Sequence, residues 1–135
     1  MKRRDAEDAE ESYRASSGLV IAAAIEVHRA LGPGLLESAY LACLMRELEL
    51  RSVSFRSQVA VPLTYKGTNL DCGYRLDLLV EDRIVVELKA VEQIHPIHFV
   101  QVLTYLRLTG TRLGLLINFN VPVLAQGIRR IANNL

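Results

Sequence analysis

The sequence predicts an α/β domain, a mixed four-stranded sheet flanked by helices in the order ααβββαβα, and three observations lead there. Apolar residues recur at helical spacing over residues 16 to 50, and from Phe55 the period shifts toward two. A third helical stretch, residues 95 to 110, separates two strand-like runs, so those two strands are expected to lie parallel across the crossover. The three strands before that helix read as an antiparallel meander.

Residues 1 to 15, MKRRDAEDAEESYRA, read as a charged N-terminal tail without assigned function, leaving 16 to 135 as a single domain. Ser16 or Ser17 is placed to cap a helix running to about Leu31, with Leu19, Ile21, Ala23, Ala24, Ile25, Val27 and Leu31 as its apolar stripe. Gly32-Pro33-Gly34 breaks it. A second helix follows over residues 35 to 50, with Leu36, Tyr40, Leu41, Leu44, Met45 and Leu48 at helical spacing. QVAVPLTY is then a strand in which Pro62 demands an edge position or a bulge, and KGTNLD is a turn. GYRLDLLV and RIVVELKAV are the next two strands. HPIHFVQVLTYLRLTG is a helix, with Pro96 in its first turn and Gly110 past its end. RLGLLINF, nearly all apolar, is a fourth strand buried on both faces, and residues 121 to 133 form a last helix.

A chain of 135 residues suits one domain that buries about two-thirds of its unfolded surface. Half of its residues are apolar and 23% are charged, which excludes intrinsic disorder. No apolar run reaches the ~18 to 20 residues that span a bilayer, and the basic start MKRR is followed by acidic residues where a signal peptide needs an apolar core. The expectation is a soluble, cytoplasmic protein with no membrane partner. Cys43 and Cys72 have neither the count nor the spacing of a zinc site or disulfide framework, and read as reduced and structural. The net charge of +1 denies the chain the global basic field of nonspecific nucleic-acid binders. A nucleic-acid role would need local help, such as bound divalent cations.

The stretch LDLLVEDRIVVELKA, residues 76 to 90, sets Asp77, Glu87 and Lys89 inside apolar strands. Strict alternation puts Tyr74, Leu76, Leu78 and Val80 on one face and Arg75, Asp77 and Leu79 on the other. A three-residue loop of Glu81, Asp82 and Arg83 pairs Val80 with Ile84, which sets Asp77 opposite Glu87 and Arg75 opposite Lys89. Two carboxylates directly across a ladder, about 4.5 to 5.5 Å apart at Cβ, repel each other. A divalent metal, the cations Arg75 and Lys89, or a structural ion cluster on a wetted face would each answer that repulsion. Leu79 and Val85 share the charged face, which argues for a helix covering it.

With these residues in view, the chain resembles the GxxExxY family of small bacterial proteins, within the PD-(D/E)XK nuclease superfamily. The family motif stands as Gly34-Leu35-Leu36-Glu37-Ser38-Ala39-Tyr40, the superfamily core as Asp77 followed by Glu87-Leu88-Lys89, and QVLTYL and LLINFNVP flank them. The resemblance implies a restriction-endonuclease-like fold and a metal-dependent nuclease that hydrolyses DNA or RNA with a metal-activated water. It makes Asp77, Glu87, the Leu88 carbonyl and Glu37 ligands of Mg²⁺ or Mn²⁺, with Lys89 positioning the water and stabilising phosphate charge. Gln101 matches a polar helix residue that approaches the lysine, Tyr40 would orient Glu37, and Tyr105 extends a stripe with His98 and Gln101. Plainer roles stand beside these. Glu37 in a first helical turn favours the helix dipole, Lys89 serves as a counter-ion, and His95 and His98 decorate a helix start without zinc spacing. The alternative function is a noncatalytic module that keeps the fold to bind nucleic acid or a protein, and the apolar edge strand guarded by Pro62 leaves room for a homodimer.

Overall fold

In the computed structural model, which describes residues 3 to 135, the first helix needs no serine cap: α1 spans Arg3–Leu31 and takes in most of the expected tail. Met1 and Lys2 of that tail lie outside the described residues. The stretch is rich in Ala, Glu and Arg, which favour helix, and Tyr13 packs on the core. Ser16 and Ser17 are buried in mid-helix. Ser16 Oγ donates to Glu81 Oε1 at 2.7 Å and Ser17 Oγ to the Arg14 carbonyl at 2.9 Å, so both hydroxyls are engaged inside the fold.

Helix α2 (Glu37–Leu50) follows the Gly-Pro-Gly break, where Gly32 at φ 68° and Gly34 at φ 101° take left-handed backbone that glycine adopts without strain. The strands are β1 (Phe55–Ala60), β2 (Leu63–Tyr65), β3 (Thr68–Leu70), β4 (Arg75–Val80), β5 (Ile84–Lys89), β6 (Leu113–Asn118) and β7 (Ile128–Ala132), with α3 (Pro96–Thr109) between β5 and β6. Five of them form a mixed sheet in the order β1-β4-β5-β6-β7, where four were expected. The β5 and β6 strands are parallel across the α3 crossover, and β1, β4 and β5 are antiparallel neighbours, as alternation and connection length predict. Pro62 divides the expected single strand: β1 stops at Ala60 on the sheet edge, and β2 pairs instead with β3, which occupies part of the expected turn. Their hairpin, Leu63↔Leu70 to Tyr65↔Thr68, stands apart from the main sheet.

The expected last helix is a 3₁₀ turn, Leu124–Gly127, followed by β7, which pairs antiparallel with β6. Ile128 and Ile131 mimic a helical stripe because they stand three apart. On a strand that spacing sends them to opposite faces: Ile128 packs toward the α1 and α2 side and Ile131 toward α3. Gly127 is pressed against the Asn118 carbonyl, where any Cβ would collide with backbone. The Asn118 amide in turn brackets Val91, donating to its carbonyl at 2.9 Å and accepting its N–H at 3.1 Å. Gly127→Ala is expected to destabilise the fold by about 1 to 3 kcal/mol through this overpacking, seen as a lower urea midpoint at unchanged m-value.

The sheet lies between two apolar layers. Val20, Ala24, Tyr40 and Leu44 of α1 and α2 meet Leu78, Val86, Leu88 and Leu115 on one face. Val102, Tyr105 and Leu106 of α3 meet Leu79, Val85 and Leu116 on the other, so β6 is buried on both sides as its composition predicts.

Candidate active site

The β4–β5 hairpin has the expected register at its closed end: Val80↔Ile84, Leu79↔Val85 and Leu78↔Val86. Its loop takes left-handed backbone at Glu81 and Asp82, φ 51° and 53°, and the Arg83 N–H returns to the Val80 carbonyl at 3.0 Å. Pairing stops beyond Leu78. On the other flank, β4 pairs with β1 at Ser57↔Leu78 and Val59↔Leu76 but not at Gln58 and Asp77, and Gln58 has φ 51°. The register is the same on both sides of this break, so no residue is inserted, and the left-handed Gln58 interrupts the ladder. Strict alternation fails there: Leu76 joins Leu79 in the layer under α3 instead of following Leu78 and Val80.

The two carboxylates replace the missing ladder bonds. Glu87 Oε1 accepts the Asp77 N–H at 3.1 Å, Asp77 Oδ2 accepts the Leu88 N–H at 2.8 Å, and the two side chains lie within hydrogen-bonding reach of each other. A residue's N–H and C=O leave a strand on the same side, so the Leu88 carbonyl also faces this gap. Asp77 opens onto a recess beside α2, with Leu36, Glu37, Ser38, Leu41 and Gln58. Lys89 lines a groove on the α3 side with His98, Gln101 and Tyr105.

Glu87 is 6% exposed, and burial together with the Asp77 charge pushes its carboxyl up to about 8, against the opposing pull of the Asp77 N–H and Lys89. Burial also raises Asp77. Near neutral pH the pair therefore shares a proton. Glu37 is raised by desolvation at the cleft wall, with Lys89 drawing it back and Asp77 adding to the rise. Lys89 acts on all three carboxylates at a distance, yet among the described residues it is in no salt bridge.

Asp77, Glu87 and the Leu88 main chain thus meet in one gap, but the single charged face that alternation predicts is split: Asp77 opens with Glu37 toward α2, and Lys89 lies on the α3 side. Gln101 Nε2 donates to the Tyr105 hydroxyl at 3.1 Å, and Tyr105 is raised by burial and by the Glu87 charge. The buried Tyr40 stacks on Phe119, centroids 4.5 Å apart, while its hydroxyl donates to the Gly32 carbonyl at 2.6 Å and accepts the Leu35 N–H at 3.2 Å. It buckles the loop that leads into α2 and so sets where Glu37 begins the helix. Arg75, expected opposite Lys89, lies beyond the end of the β4–β5 pairing and bonds Asp71 and the Tyr74 carbonyl instead. His95 and His98 form a reciprocal cap on α3, the His95 N–H donating to His98 Nδ1 at 3.1 Å. Two residues of the cleft carry no signal in the sequence: Gln58, whose left-handed backbone interrupts the ladder, and Tyr74, which alternation assigns to the opposite face.

Hard oxygen donors suit Mg²⁺ or Mn²⁺, and Mg²⁺ is usually held by only one or two carboxylates, with waters and substrate phosphate completing its shell. Among the described residues no three His, Cys, Asp or Glu side chains form a metal-holding cluster. Two carboxylates fixed by main-chain N–H groups, one carbonyl, and a proton shared where a cation would relieve the repulsion nevertheless fit such an ion. The family model of the PD-(D/E)XK nuclease superfamily matches residues 14–131, and the chain belongs to that superfamily. Its nucleases generally use divalent metals, and the five-stranded mixed sheet with its helices is consistent with a restriction-endonuclease-like fold. No curated protein and no solved structure matches the chain. Among the described residues no helix is long and apolar enough to cross a membrane.

Proposed function

We propose that this chain is a Mg²⁺- or Mn²⁺-dependent phosphodiesterase of the GxxExxY type, hydrolysing DNA or RNA in the bacterial cytoplasm, alone or as a homodimer. One observation supports the reading: the buried Asp77–Glu87 pair is bonded into the opposing main chain, and Lys89, whose charge acts on both acids, is in no salt bridge among the described residues. A structural ion cluster would have used that ammonium to neutralise the acids directly. Asp77, Glu87 and the Leu88 carbonyl would hold the cation, with Glu37 as a supporting ligand. When bound, the cation makes a coordinated water acidic and screens the phosphate. Asp77 and Glu87 give up their shared proton on binding. Lys89 holds the attacking water in line and meets the charge that builds on the phosphate oxygens. Gln101 fixes the Tyr105 hydroxyl at the edge of the groove into which Lys89 points.

Single-stranded, double-stranded and structured nucleic acids incubated in Mg²⁺ or Mn²⁺ are expected to be cut, and chelation to stop the cutting. Lys89→Ala is expected to slow cleavage by about 10² to 10³-fold while keeping the rise in Tm that Mn²⁺ produces. Equal cleavage by wild type and Lys89→Ala would assign the activity to a contaminant. The net charge of +1 favours the second reading, a noncatalytic module that binds nucleic acid or a protein. Nucleic-acid binding without cleavage, indifferent to Lys89→Ala, would decide for it.

A further inference from the structure

The groove under α3 continues the site away from the carboxylates, as a cleft of about 650 Å³. Its lining is largely apolar, with His98 and Thr104 among the α3 residues. On α3, Ile97 is 65% exposed and Val100, one turn on, 55%. Facing them across the groove are Leu63, from the β2–β3 hairpin, and Tyr74, which is 48% exposed. The Tyr74 ring leans on that of Tyr105, centroids 6.2 Å apart at 55°. Its carbonyl accepts both the Val61 N–H at 3.0 Å and the Arg75 guanidinium at 2.9 Å, so the residue is held before anything binds. At the carboxylate end stands Lys89, an ammonium in no salt bridge among the described residues, and Gln101 adds polar groups to the floor.

A largely apolar groove with an exposed tyrosine ring, and with a lysine in its lining, is complementary to a flat ring tethered to an anion. A nucleotide has that form, and stacking on a side-chain ring suits any base because every base has a π-face. In a duplex both faces of a base are already covered, so a base that reaches Tyr74 has left its stack. We infer that Tyr74 is the stacking platform for the base next to the scissile phosphate, and that the substrate is single-stranded or locally unpaired nucleic acid. The inference rests on the proposed phosphodiesterase for the identity of that phosphate. The competing occupant of the groove is a second copy of the chain, covering Ile97 and Val100.

The test is fluorescence anisotropy of a short labelled single strand in Ca²⁺, together with a set of strands each carrying one abasic position. Wild type is expected to lose about tenfold in affinity at one abasic position. Tyr74→Ala is expected to bind the intact strand about tenfold more weakly and to show no further loss at that position, while Tyr74→Phe keeps both the affinity and the penalty. Val100→Glu, on an exposed helix position, is expected to weaken binding from the opposite wall, which keeps the inference testable if Tyr74→Ala folds poorly. Equal abasic penalties in wild type and Tyr74→Ala, or no binding of any strand, would overturn it. So would a dimer by sedimentation that Val100→Glu splits without changing strand affinity. Coupling between Tyr74 and one base in a protein that cuts nothing in Mg²⁺ or Mn²⁺ would sink the phosphodiesterase and leave the stacking site standing. Cleavage without that coupling would do the reverse.

Discussion

Asp77→Asn is expected to make the metal-free protein more stable and to abolish its response to Mn²⁺. The amide reproduces what the acid does for the fold: its oxygen accepts the Leu88 N–H in place of Asp77 Oδ2, and its NH₂ donates to Glu87 where the shared proton now sits. The amide N–H stands in for the proton that the wild-type pair must take up to be buried, and no buried donor is left bare, so near neutral pH the metal-free variant gains about 1 kcal/mol. Asp77→Ala behaves oppositely, because it leaves the Leu88 N–H without an acceptor and costs about 1 to 3 kcal/mol. In both variants cleavage falls by about 10²-fold or more, since metal-site partners of this kind are worth at least that much. Thermal melts with and without Mn²⁺ separate the readings. If Mn²⁺ raised Tm as much in Asp77→Asn as in wild type, the two acids would be a structural pair and the metal site would lie elsewhere or nowhere.

The metal-free protein is also expected to lose stability steadily as pH rises from near 4.5 to near 8. An unfolded chain releases the Glu87 proton near the ordinary value of 4.5, and the folded protein holds it to about 8. Between those values the fold binds more protons than the unfolded chain, so each step up in pH favours unfolding. The stabilisation is whole below the lower value and gone above the upper one, with an amplitude on the order of a few kcal/mol. Asp77 and Glu37, both raised, act in the same direction. A divalent cation replaces the shared proton, so its affinity climbs over the same interval and its binding releases protons. Melts in chelator are expected to fall in Tm across this range, and melts in Mn²⁺ to fall much less. Glu87→Gln flattens the chelator curve. A slope unchanged in that variant would place its origin outside the pair.

The alternation that locates the β4–β5 hairpin is a local property, and the register Leu78↔Val86 could be read from the run of residues alone. The parallel crossover was equally legible, because Pro96 and Gly110 mark the ends of α3 in the sequence itself. What escaped depends on distant neighbours. Ile128 and Ile131 fit a helix and a strand equally well by spacing, and the choice is made by the edge of β6 and by Gly127 against the Asn118 carbonyl. Ser16 and Ser17 look like caps until Glu81, far along the chain, is seen to take the Ser16 hydroxyl. The break in the ladder at Asp77 stands opposite the left-handed Gln58 on the neighbouring strand, so no window around Asp77 announces it. That one break hid Tyr74 and misplaced Arg75, while Asp77, Glu87, Lys89 and Glu37 remained visible through their motif.

The bonding of Asp77 and Glu87 into the opposing main chain has a consequence for descent. The same two letters serve integrity and chemistry, so a lineage that gives up catalysis is not free to discard them. Alanine at either position strips a partner from a main-chain N–H inside the fold, the Leu88 N–H in one case and that of Asp77 in the other. Asparagine and glutamine keep the stitches and drop the charge. Among descendants of such a chain, retired enzymes that still fold would be spelled with amides at these two sites, and working ones with acids.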